Sequence, residues 1–407
     1  MKPIGAIPAD FSHLWPLAIA GRFVDHWIEQ AGDTPLFVYD MTVIAARVAR
    51  FRAAFPGIDL HYAVKANPYP ALLQAMAGLV DGFDLASAGE LALARTAMDP
   101  HRMSFAGPGK RDDELAAAIA AGVTINLESS AEADRALAQG QRLGITPRLA
   151  IRVNPEFELR GSGMRMGGRA SPFGVEPGEV PALARRIAAA GAAWRGLHIF
   201  AGSQALDAAA IIDSHAATLT LAARLAGDAG MTPPLINLGG GFGIPYFSGE
   251  EPIAVEGIGV ALRERLAGLP PELADARFAI ELGRWLVGES GVYLTRVIER
   301  KESRGEVFLI CDGGLNHQLA ATGNLGTVVR RNYPVAVATA TVGAPTETVS
   351  VAGPLCTPLD RLADQVELPV AGPGDVIAVF MAGAYGLSAS PTAFLGHPLP
   401  RELLVGG

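Results

Sequence analysis

From about residue 35 to 285 the chain alternates short apolar runs with longer amphipathic ones, and few folds accept that pattern. Strands are predicted at Leu36–Asp40, Leu60–Lys65, Gly82–Ser87, Met103–Gly107, Thr124–Ser129, Arg148–Val153, Arg195–Ala201, Leu235–Gly240 and Phe278–Leu282. Helical runs lie between them. In Met41–Phe55 the residues Ile44, Val48, Phe51 and Phe55 recur at helical spacing, Arg47, Arg50 and Arg52 fall off that stripe, and Asp40 stands where an N-cap belongs. Further helices are predicted over Gly89–Ala97, Asp112–Ala121, Ala131–Leu143, Pro181–Ala190, Ala208–Gly227 and Gly257–Leu266. Strand–helix alternation of this kind means parallel strands joined by crossover helices.

The strands are one too many for an eight-stranded barrel. Counting from the strand that carries Lys65 gives eight, ending at Phe278–Leu282, so Leu36–Asp40 passes to a second domain. After about residue 290, runs such as Val292–Ile298, Val307–Cys311, Thr346–Ala352 and Val376–Phe380 alternate with Gly and Pro, which predicts an antiparallel β domain. The expected fold class is therefore α/β, a (β/α)8 barrel followed by an antiparallel β domain. The barrel domain is bounded at 35–288, and the β domain takes 1–34 and 289–407 together with the ninth strand. A doubly wound open sheet is disfavoured, because no GxGxxG opens a helix after the first strand.

Half of the 407 residues are hydrophobic, enough for a large core in two domains. The net charge is −8, only 18% of residues are charged, and no basic tract exists, so nucleic acid is not an expected partner. No signal peptide is expected in residues 1–20, and no apolar run is long enough to cross a bilayer. Cys311 and Cys356 lie in no CxxC or metal-ligand spacing. A cytoplasmic, reducing setting is expected, with no structural disulfide and no metal.

In a parallel barrel the chemistry sits at the C-terminal ends of the strands. Those ends read Lys65, Asp84, Arg152, His198 with Phe200 and Ser203, Gly239 to Gly243, and Glu281 with Gly283 and Arg284. A lysine at the end of a buried strand suits Schiff-base chemistry, since desolvation disfavours the ammonium. It is equally the description of a snorkelling or salt-bridged lysine. Gly239, Gly240 and Gly241 would let backbone N–H groups approach a phosphate, or simply make a turn. Glu281 could hold a pyridine nitrogen protonated, or pair with Arg284. Arg152 could meet a ring hydroxyl or form a core ion pair. His198 and Phe200 share a strand face by period two, as ring contacts or as plain core. Tyr385 is a phosphate ligand or a loop aromatic.

Taken together, HYAVKAN, GFDLASAGE, HIFAGSQ, NLGGGFG, ELGR, CDGGLN, GPLCTPLD and GAYGLS resemble, in order and from about residue 34 to 405, the pyridoxal-phosphate decarboxylases of the alanine-racemase-like barrel, the family of diaminopimelate, ornithine and arginine decarboxylases. The resemblance implies pyridoxal 5′-phosphate as cofactor and a Schiff base on Lys65. It implies Glu281 at the pyridinium nitrogen and Ser203, Gly240, the Glu281–Arg284 segment and Tyr385 at the phosphate. Arg152 is implied near the ring hydroxyl and Asp84 near the lysine. Arg284, Asp312, Thr357, Asp360 and Phe394 are implied at the substrate. The counterpart of Cys356 reaches the partner subunit's active site in this family, so a homodimer with shared sites is implied. Racemases of this fold place arginine where Glu281 stands.

Some positions depart from the family pattern. Phe200 replaces a histidine that stacks on the cofactor ring. Diaminopimelate decarboxylases follow the cysteine with glutamate and carry an arginine in the DAGMND-type stretch, for the distal ammonium and carboxylate. Here those positions are Thr357 and Ala320. A site that selects by charge pairs loses that selectivity without them. Arg160 to Gly168 with Phe173-Gly174, Gly239 to Tyr246, Gly353 to Pro358 and Ser388 to Leu404 resemble two subgroups. One is the decarboxylase found with exosortase A and exopolysaccharide gene sets, which looks closest. The other is the butirosin-type enzyme, which acts on a glutamyl thioester of an acyl carrier protein. The expected activity is amino-acid α-decarboxylation of a substrate other than diaminopimelate. The alternatives are diaminopimelate decarboxylase proper, a racemase or epimerase, and a non-catalytic pyridoxal-phosphate-binding regulator.

Overall fold

The computed structural model describes residues 1–11, 15–159, 161, 163–165, 167–168, 170–323 and 330–407. Arg160, Ser162 and Met166, part of one motif above, lie outside the described residues. The chain forms two compact units.

One unit, 48–243 with 253–283, is a closed barrel of eight parallel strands. In chain order they are Asp59–Ala63, Gly82–Leu85, Met103–Phe105, Thr124–Leu127, Arg148–Val153, Ala193–Ile199, Leu235–Asn237 and Arg277–Leu282. Each neighbours the next, and Glu281 opposite His61 closes the ring. The sequence pattern predicts every strand, with ends displaced by at most three residues.

Period two divides these strands into two sets. Leu60, Tyr62, Phe83, Phe105, Ile125 and Ile280 are buried apolar residues. The alternate positions hold His61, Asp84, Ser104, Asn126, Arg152, His198 and Glu281, which bond to one another or to neighbours across the lumen. The large apolar set therefore faces the helices, and the lumen is polar. A barrel packed with layers of branched aliphatics would have no room for such a network.

The helices follow their sequence signals. Met41–Ala54 starts where the Asp40 carboxylate accepts the Thr42 N–H at 2.8 Å, a cap for an otherwise orphan donor. Asp112–Ala121 and Ser130–Leu143 end on Gly122 and Gly144 in the left-handed region, where a Cβ would be strained. The helix Pro70–Ala77 escapes the sequence reading because it is short and follows Asn67-Pro68 directly.

The other unit takes 1–47, 244–252 and 284–407, so the boundaries at 35 and 288 are corrected to 48 and 283, with 244–252 passing to the β unit as well. The cause is strand pairing: Leu36–Asp40 lies between Gly291–Ser303, antiparallel, and Arg401–Val405, parallel. The segment 244–252 joins through Tyr246, whose ring lies 4.7 Å from that of Tyr333, and Glu250, which pairs with Arg331 at 3.0 Å. The unit is mixed rather than antiparallel, because Glu306–Cys311 and Thr346–Ala352 also run parallel. Its core includes Phe11, Trp27, Val38, Leu294, Val376 and Phe380. The strand Arg361–Pro369 is unmarked in the sequence because Gln365, at φ +51°, breaks its alternation. Both cysteines are free thiols, and among the described residues no helix is long and apolar enough to cross a membrane.

One buried ion pair in the barrel wall makes a testable demand. Lys110 and Glu132 are almost fully buried, and Lys110 Nζ donates to Glu132 Oε1 at 2.6 Å, Gly107 O at 2.7 Å and Asn126 O at 2.9 Å. Removing the carboxylate leaves a buried ammonium without its directly bonded counter-charge. Glu132→Ala is expected to lower unfolding stability by roughly 3–5 kcal/mol in urea titrations, and Glu132→Gln by less, because a polar partner remains.

Candidate active site

Lys65 lies just beyond its strand, in a single 3₁₀ turn, Val64–Ala66. The turn is closed by Asn67 N–H bonding to Val64 O at 3.1 Å and by Tyr62 Oη donating to Asn67 O at 2.9 Å. The side chain is 48% exposed, so the expectation of a desolvated lysine is corrected. Its ammonium sits 3.7 Å from Glu281 Oε1 and 5.6 Å from the centre of the Phe200 ring.

Glu281 is buried, and His198 Nε2 lies 3.0 Å from its second oxygen. Burial alone would raise its pKa. The His198 hydrogen bond and the charges of Lys65, His198 and Arg152 outweigh that and hold it at about 2. The local alternative, a Glu281–Arg284 ion pair, does not occur among the described ion pairs. His198 Nδ1 is buried with no hydrogen-bond partner among the described residues.

Arg152 is clamped. Its Nη1 donates to Glu128 Oε1 at 2.9 Å, and its guanidinium carbon lies 4.9 Å from the Phe173 ring centre. Glu128 also accepts the N–H groups of Gly107 at 2.6 Å and Gly174 at 2.8 Å, tying loops after the third and fifth strands to the arginine. Burial opposes the charge on Glu128, yet Arg152, Lys110 and those amides keep its pKa below the ordinary value. The sequence reading missed Glu128, although it directly follows the fourth strand as the other site residues follow theirs. His61, also missed, lies 3.3 Å from Asp84, which accepts a short hydrogen bond from Ser104 as well.

The glycine segment has cradle geometry. A Cβ on Gly240 would stand 1.8 Å from Glu281 O, and one on Gly241 would stand 2.4 Å from Gly202 O. Gly239 and Gly241 have φ of +73° and +82°. Asn237 Oδ1 accepts the Gly239 N–H at 2.9 Å. The buried Ser203 hydroxyl has no partner among the described residues. Gly283 packs against the Lys65 turn, a Cβ there standing 2.8 Å from Ala66 Cβ.

In the β unit, Arg284 Nη1 donates to Tyr246 Oη at 2.8 Å, and its guanidinium faces the Tyr385 ring at 4.7 Å. No carboxylate pairs with Arg284 among the described ion pairs, so its charge is open to an anion. Tyr385 itself sits at φ +53°, a costly conformation for a non-glycine residue and one often found at functional positions. Asp312 and Asp360, expected at the substrate, accept hydrogen bonds from within the β unit. Asp312 accepts from Thr295 Oγ1 at 2.7 Å and Arg296 N at 2.9 Å. Asp360, buried, accepts from Leu315 N at 2.6 Å and Leu355 N at 2.8 Å, and so braces the loop that carries Cys356. Cys356 is exposed, Thr357 half-buried and Phe394 45% exposed.

Residues 41–288 match the family described as "Pyridoxal-dependent decarboxylase, pyridoxal binding domain". The chain belongs to the pyridoxal-dependent decarboxylases. It is 36% identical to the L-glutamyl-[BtrI acyl-carrier protein] decarboxylase of Niallia circulans, over 91% of this chain and 89% of that protein. It is 33% identical to the diaminopimelate decarboxylase of Methanothermobacter thermautotrophicus, over 91% and 86%. The crystal structure of Helicobacter pylori diaminopimelate decarboxylase complexed with L-lysine superposes with a TM-score of 0.81 at 29% identity, covering 94% of each chain. As a decarboxylase of this family the chain is a carboxy-lyase with pyridoxal 5′-phosphate as its cofactor. The unpartnered Ser203 hydroxyl and the Gly240–Gly241 cradle fit a phosphate, and Lys65 beside Glu281 fits the two ends of a pyridoxal ring's chemistry.

The depressed pKa of Glu281 fixes the sign of a pH effect. A carboxylate held below its ordinary value of 4.5 stabilises the fold fully above that value, and the contribution is lost as pH falls toward about 2. Glu281→Gln is therefore expected to show a flatter acid limb of stability than the parent, read from urea midpoints at successive pH values.

Proposed function

We propose that this enzyme removes the α-carboxyl group from an aminoacyl substrate tethered to a carrier protein, and that free diaminopimelate is a poor substrate. The observation that carries this reading is the pair Thr357 and Ala320. Neither holds a charge where diaminopimelate decarboxylases hold glutamate and arginine. A distal ammonium or carboxylate left unpaired in a closed pocket costs on the order of 1–3 kcal/mol, roughly tenfold to hundredfold in selectivity. The 36% identity with an enzyme named for a glutamyl group on an acyl-carrier protein points the same way. The GPLCTP and C-terminal motifs resemble those of the decarboxylases found with exosortase A and exopolysaccharide gene sets.

In this reading Lys65 would hold the cofactor's aldehyde carbon, and Glu281, oriented by His198, would stand at its pyridine nitrogen and favour the protonated ring. Phe200 covers the ring, and Arg152, aimed by Glu128, meets its hydroxyl. Ser203 and the Gly239–Gly241 amides hold the phosphate, while Arg284 and Tyr385 of the β unit bind anionic groups. The cofactor supplies the electron sink for the pair left by departing CO2. The proton is returned to the α-carbon by Cys356 of a second copy, or by Lys65. A glutamate at position 281 suits decarboxylation better than racemisation, because it strengthens the sink.

The enzyme works as a cytoplasmic homodimer with shared sites. The exposure of Cys356, with Leu359 at 53%, Leu395 at 54% and Leu399 at 65%, suits a surface covered by a second copy. The two free thiols suit a reducing compartment.

Two measurements test these readings. An aminoacyl thioester on a carrier protein should exceed meso-diaminopimelate in kcat/KM by roughly tenfold or more. Comparable turnover of the free diamino acid would restore the lysine-pathway assignment, and amino-acid racemisation without CO2 release would move the enzyme to another class. Lys65→Ala and Cys356→Ala should each be nearly inactive, and mixing them under subunit exchange should restore one intact site per mixed dimer. No recovery despite demonstrated exchange would return Cys356 to its own subunit's site or remove it from the reaction.

A further inference from the structure

A second cavity, of about 320 Å³, opens at the opposite end of the barrel from Lys65. Its mouth is formed by the first residues of the strands, among them Asp59, Arg148 and Arg277, and by Arg195. Its inner wall is the polar lumen: His61, Ser104, Asn126 and Asn237. Conserving a fold does not require a basic mouth here, since the N-terminal end of a barrel is ordinarily a matter of stability alone.

Two of the arginines at this mouth are accounted for. Arg277 pairs with Asp59 at 2.5 Å, and Arg102 donates to Asp81 O at 2.9 Å and Val80 O at 2.5 Å. The other two are not. Arg148 spends one nitrogen on His101 O at 3.0 Å, while its Nε is buried with no partner among the described residues. Arg195 makes no hydrogen bond or ion pair among the described residues. Both arginines line the same mouth, and burial, then the Arg195 charge, lower the Arg148 pKa, with Asp99 acting in the other direction. Asp99 is itself engaged by His101 at 3.1 Å.

The backbone is shaped to produce this encounter. The pairing of the fifth and sixth strands slips between Trp194 and Gly196, making Arg195 the extra residue of a bulge. Bulges re-aim side chains. Gly196 sustains it at φ +108°, where a Cβ would stand 1.9 Å from Leu235 O. A cavity of ligand size, two half-buried like charges that form no ion pair among the described residues, and a local backbone irregularity that re-aims one of them all call for an anion.

We propose that this cavity is a second ligand site, taking a small doubly charged oxyanion between Arg148 and Arg195. The site is independent of the substrate reading above. Its wall also borders the cofactor end: Asn237 lines the cavity and accepts the Gly239 N–H, and His61 and Ser104 line it and hold Asp84.

The test uses the holoenzyme, whose phosphate cradle is already filled by the cofactor. Calorimetric titration with inorganic phosphate and, separately, with malonate should show saturable binding. Arg148→Gln and Arg195→Gln should each weaken it by roughly tenfold, and Arg195→Lys by less, since the charge survives without the fork. Tighter phosphate assigns the site to phosphorylated ligands, and tighter malonate to dicarboxylates. Circular dichroism establishes that each variant is folded, with Arg195→Lys serving where Arg195→Gln is not. Absence of binding to the parent, or binding unchanged in the folded variants, overturns the proposal.

Discussion

A buried carboxylate has to be surrounded by donors, and in this barrel Glu281 sets what the lumen can contain. Desolvation works against its charge, so the charge persists only because His198 and Lys65 stand beside it and Arg152 acts from farther off. Those cations need holding in turn. Arg152 is fixed by Glu128, Glu128 by the amides of Gly107 and Gly174, and Lys110 nearby by Glu132. The polar lumen is one chain of mutual satisfaction, and the apolar side chains that usually fill a barrel are displaced to its outer face against the helices.

That inversion links folding to chemistry. A network in which nearly every member has a partner is rigid, and it holds functional groups in one geometry before any ligand arrives. The polar atoms left without partners then become informative. The Ser203 hydroxyl, His198 Nδ1 and Arg148 Nε are buried and unpartnered among the described residues, and they stand respectively at the phosphate cradle, beside Glu281, and at the opposite mouth. Two of these belong to the candidate active site, and the third marks the anion cavity.

Much of this was legible before any coordinates. Strand and helix positions follow from periodicity, because short apolar runs alternating with amphipathic helices leave a strong signal. Lys65, Glu281, Arg152 and the glycine segment were legible because they follow strands, where barrel enzymes place their chemistry. The departures have particular causes. An apolar strand predicts a buried Lys65, but the strand stops at Ala63 and the turn lifts the lysine out. For Asp312 and Asp360, which the motif puts at the substrate, the structure adds that their oxygens accept backbone N–H groups and a threonine hydroxyl. Glu128 and His61 went unnoticed because their importance lies in which residue they face across the lumen.

The sequence by itself determined the class of fold, the order of the strands and the family, because each of these is written in local pattern or in residue identity. Tertiary structure decided the pairings. Which cation answers Glu281, that His198 rather than Arg284 bonds to it, that Leu36–Asp40 belongs with Arg401–Val405, and that Arg148 and Arg195 line one cavity mouth are all outcomes of register and closure. Strand register brings together residues tens to hundreds of positions apart, and no local preference encodes which of them will meet.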